Sequence, residues 1–475
     1  MHRCSFVAVA ALVAVALHAE PASALTDGYY DSTWIGGGRT TFQGDEIGKD
    51  LSYPPGPMSR VDRIFVGSGG ELTLFGAVAT TDTWIGGMHP DGSWIPTFGL
   101  SNGYGRTTLC YLLSCNPFRS ATVLPDGEYT ILGGAFIVRT DALAPSTGSI
   151  SAHFPPSFTI DNVAGHVDAT LAVAAQPDGK VLAGGSGFVS QADSVGKFGV
   201  VRFASSGFAF NLDTTFNSTT VNEIIYSGGA VVDVSPSDGY EIVTDILVQA
   251  DGRIVLVGDT PLGEENFGLE LARLHADGTP DPTFGTNGTA TFTWAGGPIY
   301  TVGRARLDRA GRTVVALAAF ATAGGQPMLV GRITADGQLD PAFGSDAGFA
   351  RFSAASNDCT AIVATAVDID SAGRILVTGD CRTPSSGHYF IAVRLRGDNG
   401  SLDTTFGING YGLGAFASGD NNDTGLAIAF DGSGHPIIGG MADATFAGLS
   451  RLSYDLVYTN DFELAPRGCL PPDCN

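Results

Sequence analysis

Short segments of alternating apolar and polar residues, separated by glycine-containing turns, run along almost the whole chain. A typical unit is VQADGRIVLVG at 248–258, where two apolar segments flank an Asp-Gly pair. Asp-Gly between alternating segments favours a tight β-hairpin, because the turns that suit strand twist need positive φ at their central residues. The arrangement recurs with turn glycines at Gly70, Gly127, Gly179, Gly252, Gly311, Gly373 and Gly434. The pattern predicts seven hairpins and an all-β chain.

A second phrase, Asp-x-Thr-aromatic, keeps step with the hairpins and is clearest as DPTFGTNG at 281–288 and LDTTFGING at 402–410. Its aromatic residues are Trp34, Phe98, Phe158, Phe216, Phe284, Phe343 and Phe406, with steps of 64, 60, 58, 68, 59 and 63 residues. A third phrase carries an arginine, found at Arg139, Arg202, Arg273, Arg332, Arg394 and Arg451. Such a fixed period indicates a structural repeat rather than an active site.

These phrases together resemble a known family. VAAQPDGKVLAGG at 173–185, followed by a V-x-R-[LF] segment and then LDxTFGxxG, is similar to the bacterial delta-60 repeat. The repeats of that family are classed as β-propeller units of unknown function. The resemblance covers roughly residues 28–455 and implies a fold rather than an activity.

Each repeat supplies four short strands, the hairpin being innermost and the segment after the Asp-x-Thr-Phe turn outermost. The first Asp-x-Thr-aromatic phrase precedes all seven hairpins, and no similar phrase follows the last one. An N-terminal strand at about residues 39–43 therefore lacks a sheet of its own, and the last sheet lacks an outer strand. We expect a seven-bladed β-propeller of four-stranded antiparallel blades over residues 25–455, closed by that N-terminal strand on the last blade.

The repeated arginine, aspartate and phenylalanine have a structural interpretation. The arginine is expected to pair with the turn aspartate, as Arg273 with Asp281 and Arg394 with Asp403, while the phenylalanine packs between blades. A ring of ligand-binding arginines is the alternative, which is less favoured because third strands lie away from the axis. The residues assigned to this structural role are Asp213, Phe216, Arg273, Asp281, Phe284, Arg332, Asp340, Phe343, Arg394, Asp403 and Phe406.

The N-terminus has the features of a secretory signal peptide. Arg3 precedes an apolar stretch at 6–17, and small residues at Ala22 and Ala24 suit a signal peptidase. Residues 1–24 are therefore expected to be removed, and no further segment is apolar enough to span a bilayer. We expect a protein that is secreted, periplasmic or displayed at the cell surface.

Six of the seven cysteines remain after this cleavage, and an even count in an exported chain favours disulfides. Cys359 and Cys381 fall at the open end of one predicted hairpin, so a bridge between them is expected. The other cysteines lie as Cys110 with Cys115 and as Cys469 with Cys474. Spacing alone leaves their connectivity open.

The strongly negative net charge limits the kinds of molecule that the protein can bind. The net charge is −23 both with and without the neutral signal segment, and such a surface repels phosphate backbones. We expect no nucleic-acid partner and a monomer. The C-terminal tail at 456–475 resembles a short tail of exported Gram-negative proteins. It is either a sorting element or a disordered end held by its cysteines.

Candidate chemistry is sparse. HExxH and CxxC are absent, and a GxSxG match at 99–103 occupies a repeat turn rather than the strand-to-helix turn that a nucleophile needs. A calcium-loop spacing joins Asp420, Asn422, Thr424 and Asp431, but the repeat phase turns 424–430 into an inner strand, which separates Asp431 from the others. The sequence assigns no catalytic residue and no cofactor, calcium remaining the one metal alternative.

Function is limited to two classes. Loops at about 101–119, 186–197, 217–240 and 381–388 gather on one face of the expected ring, where a ligand would bind. We expect an exported binding or scaffold module for a protein or glycan ligand. The alternative is an exported lyase, lactonase or hydrolase acting on carbohydrate at the central mouth.

Overall fold

The protein is described from a computed structural model. The structure describes residues 34, 39–42, 59–78, 82–96, 104–108, 110–111, 114–115, 118–127, 129–133, 136–140, 167–187, 196–206, 209–217, 219–221, 224–226, 228–235, 240–261, 267–322, 324–352, 359–383, 387–407, 409–414, 416, 422–443 and 446–453. Strands are the regular elements of these residues, which contain no helix long and apolar enough to cross a membrane. The signal segment, the C-terminal tail and the GxSxG match lie outside them.

The strands follow one another in short steps. The first sixteen are β1 (Arg39–Phe42), β2 (Ser59–Val66), β3 (Leu72–Val78), β4 (Asp82–Met88), β5 (Tyr104–Thr108), β6 (Cys110–Tyr111), β7 (Ser114–Cys115), β8 (Phe118–Val123), β9 (Tyr129–Gly133), β10 (Phe136–Thr140), β11 (Val167–Ala175), β12 (Val181–Gly187), β13 (Lys197–Ser206), β14 (Ala209–Leu212), β15 (Thr219–Val221) and β16 (Ile224–Tyr226). The remaining sixteen are β17 (Gly229–Val232), β18 (Ile242–Val248), β19 (Ile254–Pro261), β20 (Phe267–Leu274), β21 (Thr289–Phe292), β22 (Ile299–Leu307), β23 (Thr313–Ala319), β24 (Met328–Ile333), β25 (Phe349–Phe352), β26 (Ala361–Ile369), β27 (Ile375–Arg382), β28 (His388–Leu395), β29 (Tyr411–Gly414), β30 (Thr424–Phe430), β31 (Pro436–Ala442) and β32 (Phe446–Arg451).

The chain is an all-β propeller with antiparallel four-stranded blades. Strands β2 to β5 form one four-stranded sheet, β26 to β29 a second, and β30 to β32 with β1 a third. A three-stranded sheet contains β8 to β10, a five-stranded sheet contains β11 to β14 with β17, and an eight-stranded sheet runs from β18 to β25. In the described residues, six sheets thus have three or more strands.

The prediction of seven blades is therefore wrong, because the described strands form six blades. The difference arises in the eight-stranded sheet, where β20 and β22 are joined through one residue pair, Phe267 opposite Ile299. That sheet holds two successive inner hairpins, β18–β19 and β22–β23. The other inner hairpins are β2–β3, β8–β9, β11–β12, β26–β27 and β30–β31. The repeat spacing predicts the number of inner hairpins. The number of sheets depends in addition on hydrogen bonds between neighbouring repeats.

The predicted closing strand is confirmed. β1 pairs antiparallel with β32, from Arg39 opposite Ser450 to Phe42 opposite Ala447. Just before it, the indole Nε1 of buried Trp34 donates to the carbonyl of Pro90 at 3.1 Å, in the turn that follows β4. The N-terminal segment therefore contacts both the first and the last sheet, and one apolar cluster joins those two sheets as well.

A repeated clamp holds the turn between third and fourth strands. Arg394 Nε donates to Asp403 Oδ2 at 2.9 Å, and the guanidinium lies 4.8 Å from the centroid of Phe406. Equivalent Arg–Asp distances are 2.8 Å for Arg202–Asp213, Arg273–Asp281 and Arg332–Asp340, with stacking on Phe216, Phe284 and Phe343.

The same arginines also bind the following repeat. Nη1 of Arg332 donates to the carbonyl of Gly397 at 2.5 Å, and that of Arg273 donates to the carbonyl of Ala335. Although burial opposes it, hydrogen bonds from Thr283 and the charge of Arg273 lower the pKa of Asp281 to about 2. The clamp therefore fixes each turn and connects consecutive repeats, as the structural interpretation requires.

Deleting residues 25–45 should lower the melting temperature by several degrees, because it removes β1 and Trp34 and exposes the edge of β32. Calorimetry of the mature chain would measure the shift. Thr40→Val is the matched control, since it keeps the backbone ladder of β1. An unchanged melt after the deletion would show that β1 does not close the ring.

Arg394→Met should lower the free energy of unfolding by about 3 kcal/mol, because Asp403 would remain buried without its cation. Adding Asp403→Asn should recover part of the loss. Urea unfolding gives both values, and Arg396→Met, at an exposed arginine two residues away, should change little. Equal stability of wild type and Arg394→Met would contradict the clamp.

Candidate functional site

The innermost strands enclose a central channel of about 190 Å³. Every one of the seven inner hairpins contributes its first strand to the channel wall, through residues of β2, β8, β11, β18, β22, β26 and β30. The wall contains Asp62, Arg63, Asp245, Arg304 and Arg306 among mostly small or aliphatic residues. The channel is therefore the one place to which all repeats bring side chains.

One layer of the wall lies seven residues before each turn glycine. Arg63, Asp245 and Arg304 occupy this position and line the channel, as do Ala366 and Ala427; the equivalent residues of the other two hairpins are Ser120 and Ala172. The small residues leave room for the long arginines. Two residues further on, the wall contains Phe65, Thr122, Ala174, Leu247 and Arg306, and the equivalent residues of the last two hairpins are Asp368 and Ala429.

A β-bulge precedes the first layer in every inner strand. Register shifts fall between Val61 and Arg63, between Val243 and Asp245, and between Val302 and Ala305. The other four strands shift between residues 118 and 120, 168 and 172, 364 and 366, and 425 and 427. A bulge bends a strand and redirects the next side chain. The repeated bulge thus explains how charged side chains reach the channel.

Each channel arginine contacts a neighbouring inner strand. Arg63 Nη2 donates to Ser120 Oγ at 3.1 Å, and Arg304 Nη1 donates to the carbonyl of Thr244 at 3.4 Å. Arg306 Nε lies 3.2 Å from Asp368 Oδ1, with both side chains partly exposed. The neighbouring strands are thereby connected at the axis.

The channel carboxylates already have partners. Asp62 pairs with Arg60 at 2.9 Å. Asp245 accepts the backbone N–H groups of Ile246 and Ala305, both at 3.0 Å. With Asp368 held by Arg306, every channel carboxylate described has a donor within hydrogen-bond distance.

The channel wall carries both signs of charge, with Arg63, Arg304 and Arg306 beside Asp62 and Asp245. Burial, followed by repulsion from Arg304, holds the pKa of Arg63 well below its usual range. Burial also lowers the pKa of Arg304, and Arg306 adds to this effect. Two like charges that disfavour each other in a confined space favour an anion between them. The geometry can therefore bind an acidic group.

The calcium candidates are not brought together. Asn422 precedes β30, Thr424 begins it and Asp431 follows it, so the strand separates them; Asp420 lies outside the described residues. Asp431 is already held by Arg451 at 2.5 Å and by His435 at 3.2 Å. In the described ranges, no group of three or more His, Cys, Asp or Glu residues could hold a metal ion.

The predicted disulfide Cys359–Cys381 is confirmed, with Cα atoms 5.5 Å apart. The backbones of Cys110 and Cys115 lie opposite each other in the β6–β7 hairpin. Cys469 and Cys474 fall outside the described residues. The one bridge therefore ties the start of β26 to the end of β27.

The charged residues of the channel were not predicted from the sequence, although an alignment of the repeats marks them. Aligning the repeats on their turn glycines places Arg63, Asp245 and Arg304 where three other repeats carry alanine. A charge that replaces alanine at a repeat position is a departure that the structural repeat does not require. The signal depends on knowing that this position faces the axis, which the bulge decides.

A buried carboxyl group also lies outside the channel, beside the sheet of β11 to β14 and β17. Glu270 of β20 is fully buried opposite Gly258, and neither carboxylate oxygen has a hydrogen-bond partner in the described part of the chain. Burial and the neighbouring carboxylates Glu241 and Asp259 raise the pKa of Glu270 to about 8. Its carboxyl is therefore uncharged at neutral pH.

This group should make stability depend on pH. Because the pKa of Glu270 is raised in the folded state, the stability that its protonated carboxyl contributes is fully present below pH 4.5 and is lost as the pH rises to about 8. In that window the free energy of unfolding should fall by roughly 1.4 kcal/mol per pH unit. Urea unfolding at several pH values between 5 and 9 should show that the free energy of unfolding falls less steeply with pH for Glu270→Gln than for wild type. Identical slopes would contradict the raised pKa.

Solved structures with likeness to this chain are distant. The virginiamycin B lyase of Staphylococcus aureus, solved in a catalytically inactive form with quinupristin, has a TM-score of 0.46 at 11% identity, covering 87% of this chain and 99% of that chain. PorZ, a surface component of the type-IX secretion system of Porphyromonas gingivalis, has a TM-score of 0.43 at 10% identity, covering 84% and 48%. A protein of unknown function from Dyadobacter fermentans has a TM-score of 0.43 at 11% identity, covering 88% and 98%. These likenesses are too weak to indicate a function.

Sequence comparison gives one match. No curated protein matches the chain. A family model described as "Domain of unknown function (DUF5122) beta-propeller" matches residues 176–216 and 249–284. Each matched stretch runs from a hairpin turn to the phenylalanine of the clamp, at Phe216 and Phe284. The match supports a β-propeller repeat family for this chain.

Proposed function

We propose that the protein is an exported β-propeller binding module that holds an acidic group of its ligand in the central channel. Arg63, Arg304 and Arg306 would bind that group. The observation that supports this proposal most directly is the convergence of three arginines on a channel whose remaining wall consists mostly of small and aliphatic residues.

Arg63 is the central residue of the proposal. Within the described residues its guanidinium donates one hydrogen bond, to the neutral hydroxyl of Ser120, and makes no ion pair. A guanidinium carries five N–H donors in a planar fork that matches a carboxylate. A bound carboxylate would supply the missing acceptor and offset the repulsion between Arg63 and Arg304.

The alternative of a carbohydrate-cleaving enzyme has less support. A general base needs a carboxylate or imidazole that is available to the substrate. The described channel wall contains no histidine, and Asp62, Asp245 and Asp368 are already held by arginines or backbone amides. The arrangement suits binding better than proton transfer.

The proposal includes the finer features expected from the sequence. The repeats are delta-60 repeats. Residues 1–24 direct export, and the mature protein acts as a monomer.

Isothermal titration with glucuronate at low ionic strength would test the channel. Wild type should bind glucuronate but not glucose, and Arg63→Met should weaken binding at least about tenfold, because a charge-assisted pair is lost. Arg309→Met, at an exposed arginine of the β22–β23 turn, is the control and should bind like wild type. Equal affinity of Arg63→Met and wild type would overturn the proposal.

A further inference from the structure

The face of the ring on which β22 and β26 begin carries an aromatic pair. Tyr300 lies at the start of β22 and Phe320 directly follows β23, with ring centroids 4.5 Å apart and ring planes tilted by 36°. Phe320 is one of three large apolar side chains in the described part of the chain that are more than a third exposed, whereas Tyr300 is partly buried behind it. Phe320 therefore offers an apolar ring surface to solvent, supported by Tyr300.

A polar group lies on the neighbouring repeat. Arg382 Nε donates to Asp380 Oδ2 at 3.0 Å, and His388 Nδ1 lies 3.0 Å from Asp380 Oδ1. Asp380 is buried, whereas about half of the Arg382 side chain and somewhat less than a third of His388 are exposed. One carboxylate thus orients two cationic or neutral donors toward solvent.

The aromatic pair and the polar group belong to one surface. The N–H of Ile362 donates to the carbonyl of Gln326 at 2.8 Å, which joins the segment after Phe320 to the start of β26. Ala361, the first residue of β26, lies opposite Arg382 in the β26–β27 ladder. Burial raises the pKa of Tyr300, and the charges of Arg382 and Asp380 both act on it, so these groups lie within electrostatic reach.

The surface is held rigidly. The disulfide Cys359–Cys381 ties the strand ends that carry the polar group, and the N–H of Thr360 donates to the carbonyl of Arg382 at 2.5 Å. A rigid site loses little conformational entropy on binding. The disulfide and this hydrogen bond fix the polar group more firmly than an isolated surface ion pair would need.

We propose that this surface, formed by Tyr300, Phe320, Asp380, Arg382 and His388, is a saccharide subsite that selects an acidic sugar. It rests on the proposed function, because the channel arginines would take an acidic group from the same ligand. The aromatic pair stacks on the apolar face of a pyranose ring, and the Asp–Arg–His group hydrogen-bonds its hydroxyls. Arg382 pairs with a carboxylate on the ring.

The chemistry of the surface favours a saccharide over a peptide. A sugar ring presents an apolar C–H face and, at its edge, closely spaced hydroxyls that both donate and accept. The subsite matches both features within one rigid patch. An acidic peptide would use the arginines, but its acidic side chains have no apolar ring face to place on Phe320.

The test uses the mature full-length chain and three probes: tetragalacturonate, glucuronate and a tetraglutamate peptide. Wild type should bind tetragalacturonate more tightly than the other two. Phe320→Ala should weaken tetragalacturonate binding about tenfold while leaving tetraglutamate binding unchanged, and Arg382→Gln should weaken tetragalacturonate binding about tenfold. Val123→Ala, at an exposed apolar residue at the opposite end of an inner strand, is the matched control and should bind like wild type. Melting temperatures check that each variant folds.

The two proposals fail separately. Wild-type affinity of Phe320→Ala and Arg382→Gln for tetragalacturonate would overturn the saccharide subsite and leave the channel proposal standing. If these variants weaken binding but Arg63→Met does not, the channel proposal is overturned and the subsite stands. Tetraglutamate binding that is tighter than tetragalacturonate binding and equally sensitive to Phe320→Ala would identify a peptide surface instead of a saccharide subsite.

Discussion

No sheet of this protein can bury both of its faces by itself, and the architecture follows from that constraint. Alternate residues of each strand point to opposite faces, and in the middle strands both faces are apolar, as in β12, β23 and β24. Each face is covered by the next repeat, and the last repeat covers the first. A closed ring is the arrangement in which every such face is covered.

Closure around an axis also creates the candidate site. Inner strands that meet around a channel bring one residue from every repeat to the same level, so a substitution in one repeat places its side chain opposite substitutions in the others. Alanine at several of these positions leaves space in the channel. Three arginines drawn from two distant repeats can then share one small volume, where their repulsion favours an anion.

Much of the fold is readable from the sequence because it is local or repeated. Asp-Gly turns specify hairpins, and the unmatched N-terminal phrase predicts β1 on β32. The positions of Cys359 and Cys381 at a hairpin end predict their bridge. The Arg–Asp clamp follows from the recurrence of both residues. In each case the informative residues are close in sequence or identical in every repeat.

The remainder depends on non-local geometry. The Phe267–Ile299 pair that joins two repeats into one sheet has no sequence marker. The bulges that aim Arg63 and Arg304 at the axis appear only when strands are paired. The sequence does not distinguish Glu270 from an exposed strand carboxylate, and its burial opposite Gly258 appears only in the assembled sheet. Which side chains are buried, and which point at the axis, is decided only when the ring assembles.

The strand that completes the last sheet is the first strand that the structure describes. β1 therefore finds its partner only after about four hundred further residues have been synthesised, since β32 begins at Phe446. Until then two sheet edges stay open, and growing intermediates offer sites for pairing with other chains. Contacts of such large sequence separation also slow the final step of folding. Completion of the last sheet thus waits for the synthesis of nearly all of the described chain.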